Sequence, residues 1–303
     1  MGAWRREAAS LTEWIETKLD TKVTKETFAG SSDWASNYRY DTEAKKSVFV
    51  KVALGRDTTM FTGEQQGLDA MKHAAGEALT IPAVYGVEEI ANRPGRSGSF
   101  IAMECLQLSR GGSQAELGRA LALMHSAEPL HEEAKQGKFG FPVDNTIGGT
   151  PQPNPWTDDW IEFYKEHRLR HQARLAGNAE LTKGVEKLCD KLESYFEGVQ
   201  RPIKPATLHG DLWSGNISGV DGKPCIFDPA SYYGHSEAEF GMSWCAGFGD
   251  AFYQAYFDVL PREEGFEKRA QIYKLYHYLN HYNLFGSSYY SSAASILSSL
   301  GCL

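Results

Sequence analysis

The segment that most constrains this chain is 208–216, Leu-His-Gly-Asp-Leu-Trp-Ser-Gly-Asn. Asp211 precedes Asn216 by five positions, which is the spacing of a kinase catalytic loop. In such a loop the aspartate accepts the proton of the attacking hydroxyl and the asparagine binds Mg²⁺. A second carboxylate, Asp228, follows the apolar strand candidate that ends at Ile226-Phe227. This loop between two apolar strands predicts phosphoryl transfer, which requires mainly positioned charge from a protein.

These residues also have a structural alternative. Asp211 could cap a turn while Asn216 takes a left-handed bend beside Gly215, and Asp228 could belong to a plain Asp-Pro turn. A hairpin predicted at Asp221-Gly222 favours the functional interpretation, because it returns Asp228 to the side of Asn216. Two oxygen-donating side chains placed there suit one shared Mg²⁺.

The composition limits the partners. The chain has 303 residues, with 31 basic and 39 acidic side chains and a formal net charge of −8. This argues against nucleic acid as the main partner, because phosphate backbones require a basic surface. No apolar run of about 18 residues is present, so no membrane span is expected. The five scattered cysteines lack metal-binding spacing and predict reduced thiols in the cytoplasm, or in an organellar stroma if a transit peptide has been removed.

The order of the predicted elements indicates the fold class. The early candidates are a helix at 4–20, strands between 23 and 52, a helix at 64–75, and strands at 81–87 and 99–104 around a polar turn at 92–95. The later candidates are helices at 115–126, 156–174 and 181–198, with a loop at 137–155. Strands first and helices later predict an α+β, two-lobe protein-kinase-like fold. The small β-rich lobe would be residues 1–105 and the larger, mainly helical lobe residues 106–303, hinged near 103–108.

Lys51 and Glu64 form the candidate nucleotide pair. Lys51 lies on the third strand candidate, where a kinase places the lysine that contacts the α- and β-phosphates, and Glu64 belongs to the next helix. The structural alternatives are a solvated edge lysine and a helix-start carboxylate favoured by the macrodipole. The separation of the two residues, together with the catalytic loop, favours an ion pair.

The turn between the first two strands is the candidate phosphate loop. It contains Gly30, and Ser31 and Ser32 stand where kinase loops carry further glycines, whose small size lets backbone N–H groups approach phosphate closely. Serine N–H and hydroxyl groups could bind phosphate too, and a plain hairpin turn is the alternative. Trp213, two residues after Asp211, is a candidate wall for the acceptor, with packing in the core as its alternative.

Several longer runs resemble a known family. They are LHGDLWSGN, FDPASYYGHSE, IGGTPQPNPWTDDW and YLNHYNLFG. They are similar to the fructosamine kinase (ketosamine-3-kinase) family, which belongs to the aminoglycoside-phosphotransferase-like kinases, and the resemblance extends from about Val23 to Gly286. It implies ATP-dependent phosphorylation of the 3-hydroxyl of sugar-derived ketoamines on protein or small amines, which would begin deglycation.

The resemblance also implies roles for individual residues. Asp211 would be the proton acceptor, and Asn216 and Asp228 the metal ligands. Lys51 and Glu64 would form the nucleotide-lobe pair. The hinge segment Glu104, Cys105 and Leu106 would meet adenine through its backbone. Family members often carry a triple-glycine loop followed by cysteine, whereas this chain has Gly30-Ser31-Ser32-Asp33.

Other functions remain open at the level of the sequence. A kinase for another small hydroxyl substrate, of the aminoglycoside or choline type, would use the same catalytic residues. A pseudokinase acting as an interaction module would be compatible with the glycine-poor loop, although the retained charged residues disfavour it. The sequence leaves open which sugar–amine adduct is preferred and whether the protein is a monomer or a dimer.

Overall fold

The structure, a computed structural model, describes residues 2–90, 97–109 and 112–303, with residues 2–10 described by their backbone only. The turn predicted at 92–95 lies outside the described residues. Within the described part of the chain, no helix combines the length and apolar character needed to cross a membrane.

The N-terminal part of the chain is built around one antiparallel sheet with strand order β1-β2-β3-β5-β4. Its elements are α1 (Gly2–Leu19), β1 (Val23–Ser31), β2 (Ser36–Thr42), β3 (Ser47–Leu54), α2 (Thr59–Ala75), β4 (Val84–Ile90) and β5 (Gly98–Glu104). Strand β3 shows why the sheet is covered on both faces. Val48, Val50 and Val52 point into a core with α1, whereas Phe49 and Ala53 pack on the opposite face, with residues of α2. Lys51 shares that second face because side chains alternate along a strand.

The C-terminal part is mainly helical. Its helices are α3 (Gln114–Ser126), α4 (Glu132–Lys135), α5 (Trp160–Tyr164), a π-helical segment (Lys165–Arg170), α6 (His171–Ala176), α7 (Ala179–Cys189), α8 (Ser243–Ala246), α9 (Asp250–Phe257), α10 (Phe266–Phe285) and α11 (Tyr290–Ser299). Short 3₁₀ turns lie at Leu192–Phe196, Ser214–Asn216, Ser236–Met242 and Ser287–Tyr289. A large apolar core joins α5, α7, α10 and α11.

Three two-stranded ladders position the predicted catalytic loop. They are β6 (Asn145–Ile147) with β7 (Thr150–Gln152), β8 (Ala206–Leu208) with β11 (Tyr232–Gly234), and β9 (Ile217–Val220) with β10 (Lys223–Ile226). The β9–β10 hairpin turns at Asp221 and Gly222, whose φ angles of 49° and 81° are both left-handed. A two-residue turn of this kind matches the twist of the strands it joins. The hairpin predicted at this position is therefore present.

The predicted elements differ from the observed ones mainly at their ends. The helix predicted from residue 64 begins at Thr59, so Glu64 lies in its second turn rather than at its start. The helix predicted from residue 156 begins at Trp160, after Asp159 accepts a hydrogen bond from the backbone N–H of Glu162 as N-cap. The loop predicted at 137–155 contains the β6–β7 hairpin, whose three-residue strands are too short to give an alternating pattern.

Candidate active site

Strand β8 leads directly into the turn that carries Asp211. Gly210 has a φ of +81°, and a Cβ at this position would lie only 2.2 Å from the carbonyl oxygen of Ala230, so only glycine fits without rearrangement. The N–H of Asp211 donates to Nδ1 of His209 at 3.2 Å, while Nε2 of that buried ring lies 2.9 Å from the carbonyl oxygen of Phe227. The HGD triplet is therefore a rigid turn, with His209 inside the protein and Asp211 at its edge.

A buried carboxylate, Glu239, holds this turn from behind. It accepts the backbone N–H groups of His209 at 2.7 Å and Gly210 at 2.9 Å, and its Oε2 lies 3.2 Å from Nε2 of His125. Burial alone would raise the pKa of Glu239, but these hydrogen bonds and the His125 ring lower it below its ordinary value. Sequence reasoning missed this residue, because a glutamate 28 positions after Asp211 (239 minus 211) carries no local signal of its function.

Asn216 and Asp228 lie side by side, as the hairpin predicts. The side-chain nitrogen of Asn216 donates to the backbone oxygens of Asp211 at 2.9 Å and Asp228 at 3.3 Å, so its oxygen is the end that can bind a cation. Asp228 has a φ of +61°, an unusual conformation for a residue other than glycine, and its side chain is 54% exposed. Backbone strain of this kind is often found at functional sites.

Lys51 connects the sheet with Asp228, the predicted metal ligand that follows β10. Its Nζ lies 2.7 Å from Oε1 of Glu64 and 2.6 Å from Oδ1 of Asp228. Burial opposes the charge of Lys51, but the two carboxylates outweigh it and raise its pKa. The same ammonium lowers the pKa of Asp228, whereas burial raises that of Glu64. The predicted Lys51–Glu64 pair is thus formed, and its extension to Asp228 was not foreseen.

Asp211 is electrostatically suited to accept a proton near neutral pH. Burial, together with the negative charges of Asp228 and Glu239, raises its pKa from 3.8 to about 7. A general base is most effective when its pKa is close to the working pH.

These groups line one cavity of about 230 Å³. Its walls come from both parts of the chain and consist of Ser32, Trp34, Ala35, Asn37, Lys51, Met60, Phe61, Glu64, Asn145, Thr146, Gly148, Asp211, Trp213, Asn216, Asp228, Pro229 and Ala230. Trp213 is 42% exposed, so it is not a core residue. Its ring lies over Gly215, where a Cβ would come within 2.2 Å of Cη2 of the indole. The structure therefore brings Trp213, Asp211, Asn216, Asp228, Lys51 and Glu64 together.

Of the candidate phosphate loop, Gly30 and Ser31 are the last residues of strand β1 and are paired with β2 rather than lying in the turn. The tight turn that follows carries Ser32, which lines the cavity. Gly30 has a φ of +114° with open space around its α-carbon, and it and Ser31 are not among the described residues that line the cavity. The hydroxyl of Ser32 accepts the backbone N–H groups of Trp34 at 3.4 Å and Ala35 at 3.2 Å. This serine hydroxyl is thus engaged in shaping its own turn.

The hinge segment lies at the end of β5, away from this cavity. The backbone N–H of Glu104 donates to the oxygen of Ala83 at 2.8 Å, and that of Cys105 donates to the oxygen of Ser47 at 3.1 Å. Both amides are therefore used within the sheet, and the following residue, Leu106, begins the connection to the helical part of the chain.

Comparison with known proteins shows which family the chain belongs to. A family model described as fructosamine kinase matches residues 3–301. The chain is 48% identical over 293 residues to a chloroplastic protein-ribulosamine 3-kinase from Oryza sativa subsp. indica, a match that covers 94% of this chain and 81% of the rice protein. The chain belongs to the fructosamine kinase family. The resemblance proposed from its sequence motifs is confirmed.

Further relatives agree with this membership. A ketosamine-3-kinase from Mus musculus is 38% identical to this fructosamine kinase family member over 286 residues, covering 86% of this chain and 90% of the mouse protein. A crystal structure from Thermobifida fusca, described as that of a candidate fructosamine-3-kinase, superposes with a TM-score of 0.80 at 28% identity and covers 95% of this chain and 97% of that one. The predicted two-lobe, kinase-like α+β fold is confirmed, and the protein is an ATP-dependent kinase.

Proposed function

We propose that this kinase transfers the γ-phosphoryl group of ATP to the 3-hydroxyl of ketosamines, the fructosamine or ribulosamine adducts of protein or small amines. The observation that carries this proposal is that Asp211, Lys51, Asn216 and Asp228 all line the same cavity. Family membership supports the acceptor class, because relatives bear the names ribulosamine and ketosamine 3-kinase. Kinases for aminoglycosides or choline, and a pseudokinase, are not favoured.

In this mechanism Asp211 is the proton acceptor. The acceptor hydroxyl forms a new O–P bond to the γ-phosphorus while the bond between that phosphorus and the oxygen of the departing ADP breaks. Asp211 takes the hydroxyl proton, and its pKa of about 7 allows it to release that proton afterwards. Glu239 keeps the turn in place through the N–H groups of His209 and Gly210.

Asn216 and Asp228 are the residues that would hold Mg²⁺. An amide oxygen and an exposed carboxylate are the hard donors this cation prefers. Mg²⁺ in nucleotide sites is usually bound by one or two protein side chains together with substrate phosphates, which suits this pair. The bound cation would neutralise charge on the transferred phosphoryl group.

The nucleotide would lie between the two lobes, which we place at residues 1–105 and 106–303. Lys51, held by Glu64, is positioned for the phosphates. The loop with Gly30, Ser31 and Ser32 would cover them, through its backbone more than through the engaged Ser32 hydroxyl. Adenine would meet the hinge formed by Glu104, Cys105 and Leu106, through backbone groups other than the N–H groups of Glu104 and Cys105, which are already bonded.

The acceptor would lie against Trp213, beside the proton acceptor. We infer that the ketoamine substrates are glycated proteins or small glycated amines, so that phosphorylation begins deglycation. Nucleic acid and membranes are not proposed as partners. The location would be the cytoplasm or a plastid stroma, since the rice and Arabidopsis relatives are named chloroplastic.

An acceptor panel tests this function. ATP consumption is measured with a ribulose- or fructose-derived ketoamine of lysine, with kanamycin, with choline and without acceptor. We expect only the ketoamines to increase ATP consumption strongly. NMR of the product should show the phosphate on the 3-hydroxyl. The Asp211→Asn variant is the control for contaminating kinases. Phosphorylation of kanamycin without any ketoamine response would contradict the acceptor assignment while leaving the kinase fold intact.

A further inference from the structure

The indole ring of Trp34, beside the candidate phosphate loop, contacts the helical lobe. Trp34 lies within the turn of Ser32–Ala35 and lines the cavity that also contains Asp211 and Trp213. The turn is closed by a hydrogen bond from the N–H of Ser32 to the oxygen of Ala35 at 2.8 Å. With the Ser32 hydroxyl accepting two further N–H groups, the direction of Trp34 is set by the turn itself.

The ring of Trp34 rests on the β6–β7 turn. A Cβ on Gly148 would lie 3.3 Å from Cη2 of Trp34 and 3.1 Å from Cδ1 of Leu284, and a Cβ on Gly149 would lie 3.1 Å from Cε3 of the indole. These distances are shorter than ordinary van der Waals contacts, so two consecutive glycines allow the close approach. Trp34 belongs to the sheet lobe, whereas the turn and Leu284 belong to the helical lobe.

The β6–β7 hairpin is a firm support for this contact. The side-chain nitrogen of Asn145 donates to the backbone oxygen of Ser231 at 2.7 Å, and that of Gln152 donates to the oxygen of Ala230 at 3.0 Å. Both side chains are buried. The hairpin is thereby bonded to the segment that directly follows Asp228. A side chain that packs on the hairpin is therefore held at a fixed position relative to the catalytic residues.

We propose that Trp34 is a specificity-determining residue of this kinase, whose docking on Gly148 and Gly149, beside Leu284, closes the cleft over the acceptor. The proposal rests on the proposed function, which it deepens. Trp34 and Trp213 line the same cavity from opposite lobes, so an acceptor beside Asp211 is enclosed between two indoles. Enclosure excludes water, which would otherwise compete with the acceptor for the phosphoryl group.

The activity test separates acceptor binding from nucleotide binding. In Trp34→Ala the KM for a lysine ketoamine should rise about tenfold, the KM for ATP should change less than about threefold, and acceptor-free ATP hydrolysis should rise relative to transfer. Trp34→Phe, which keeps an aromatic ring, should recover most of the loss. The matched control is Phe28→Ala, because Phe28 is 60% exposed on the same hairpin and packs on Tyr38 instead. An unchanged acceptor KM and unchanged hydrolysis in Trp34→Ala would overturn the proposal.

A double-mutant cycle tests the contact itself. Leu284→Ala should raise the acceptor KM in the same way. The double variant should show a much smaller effect than the product of the two single effects, because both side chains lie against Gly148 and residues with a shared partner are not additive. Full additivity would show that the two side chains do not act together and would overturn the proposed docking.

One readout does not depend on the acceptor. Amide hydrogen exchange in the 145–152 hairpin should be faster in Trp34→Ala than in Phe28→Ala, because the indole covers the glycine turn. If no ketoamine stimulates the wild-type enzyme, the proposed function fails, and this exchange difference alone decides whether Trp34 docks on the hairpin. Equal exchange in the two variants would overturn the docking.

Discussion

At the scale of single residues, the position proposed to make Asp211 a proton acceptor also lowers the stability of the fold. Its pKa is raised on folding from 3.8 to about 7 by burial and by two neighbouring carboxylates. A carboxyl group of this kind contributes stability at low pH and loses that contribution as the pH rises through its folded value. Above pH 7 the ionised Asp211, which is the form that the proposed proton acceptor requires, therefore destabilises the fold.

We therefore expect Asp211→Asn to separate function from stability. Turnover should fall by roughly 10²–10⁴-fold, because the proposed proton acceptor is lost. At pH 8 the free energy of unfolding should rise by about 1–2 kcal/mol, less than the full pKa shift implies because Asp211 is only partly buried. The gain should shrink toward pH 5, which urea unfolding at both pH values would measure.

The matched control is Asp158→Asn, since the Asp158 side chain is 89% exposed and its replacement should leave stability unchanged. A gain that is equal at pH 5 and pH 8 would contradict the electrostatic explanation for Asp211. Near-normal turnover in a folded Asp211→Asn protein would contradict its role as the proton acceptor.

At the scale of elements, helix α2 is the one whose position decides whether Glu64 meets Lys51. Its glycines bring it unusually close to the helical lobe. A Cβ on Gly63 would lie 2.4 Å from Cβ of Asn145, and one on Gly67 would lie 3.0 Å from Oγ of Ser231. Small residues on one face of a helix thus allow Glu64, between them, to reach the cleft.

Gly63→Ala should therefore displace α2. Alanine favours a helix over glycine by about 1 kcal/mol. The added methyl group, however, meets Cβ and Cα of Asn145 in the β6–β7 hairpin, and overpacking typically costs about 1–3 kcal/mol. We expect a net loss of stability of about 1 kcal/mol and a fall in kcat/KM of about tenfold or more, because the Lys51–Glu64 pair is disturbed. Thermal unfolding and steady-state kinetics would measure both.

Lys72→Ala is the control for this prediction, because it changes an exposed position of the same helix and should leave kcat/KM unaltered. If Gly63→Ala instead stabilises the protein and keeps its activity, the helix has room to move and the close packing of α2 does not position Glu64.

At the scale of the whole molecule, an ion pair joins the two lobes at the cleft. Lys51 on the sheet binds Asp228, 177 positions later in the chain, at 2.6 Å. Nucleotide binding is expected to reorganise this pair, since Lys51 would turn to the phosphates and Asp228 to the cation.

We expect Asp228→Ala to weaken Mg²⁺-dependent ATP binding at least tenfold more than Lys51→Met does, because a carboxylate ligand of a divalent cation contributes more than one phosphate contact. Calorimetric titration with and without a chelator would measure this, and activity should disappear with the chelator. Lys22→Met, which removes an exposed lysine paired with Glu16, is the matched control. Mg²⁺-dependent ATP binding that is as strong in Asp228→Ala as in Lys51→Met would contradict the metal assignment.

The sequence by itself determined the features that are local in the chain. The spacing of Asp211 and Asn216, the Asp221-Gly222 hairpin that returns Asp228, and the alternation that places Lys51 on one face of β3 all follow from short-range geometry. The family could be predicted for the same reason, because its motifs are contiguous runs of residues.

Only the tertiary structure decided the contacts between distant segments. Glu239 behind the catalytic turn, Lys51 on Asp228 and Trp34 on the Gly148-Gly149 turn join residues separated by about 30 to 180 positions. No periodicity or turn signal encodes such pairs, because they depend on how the two lobes pack against each other. The same packing raises the pKa of Asp211, since burial and neighbouring carboxylates exist only in the folded protein.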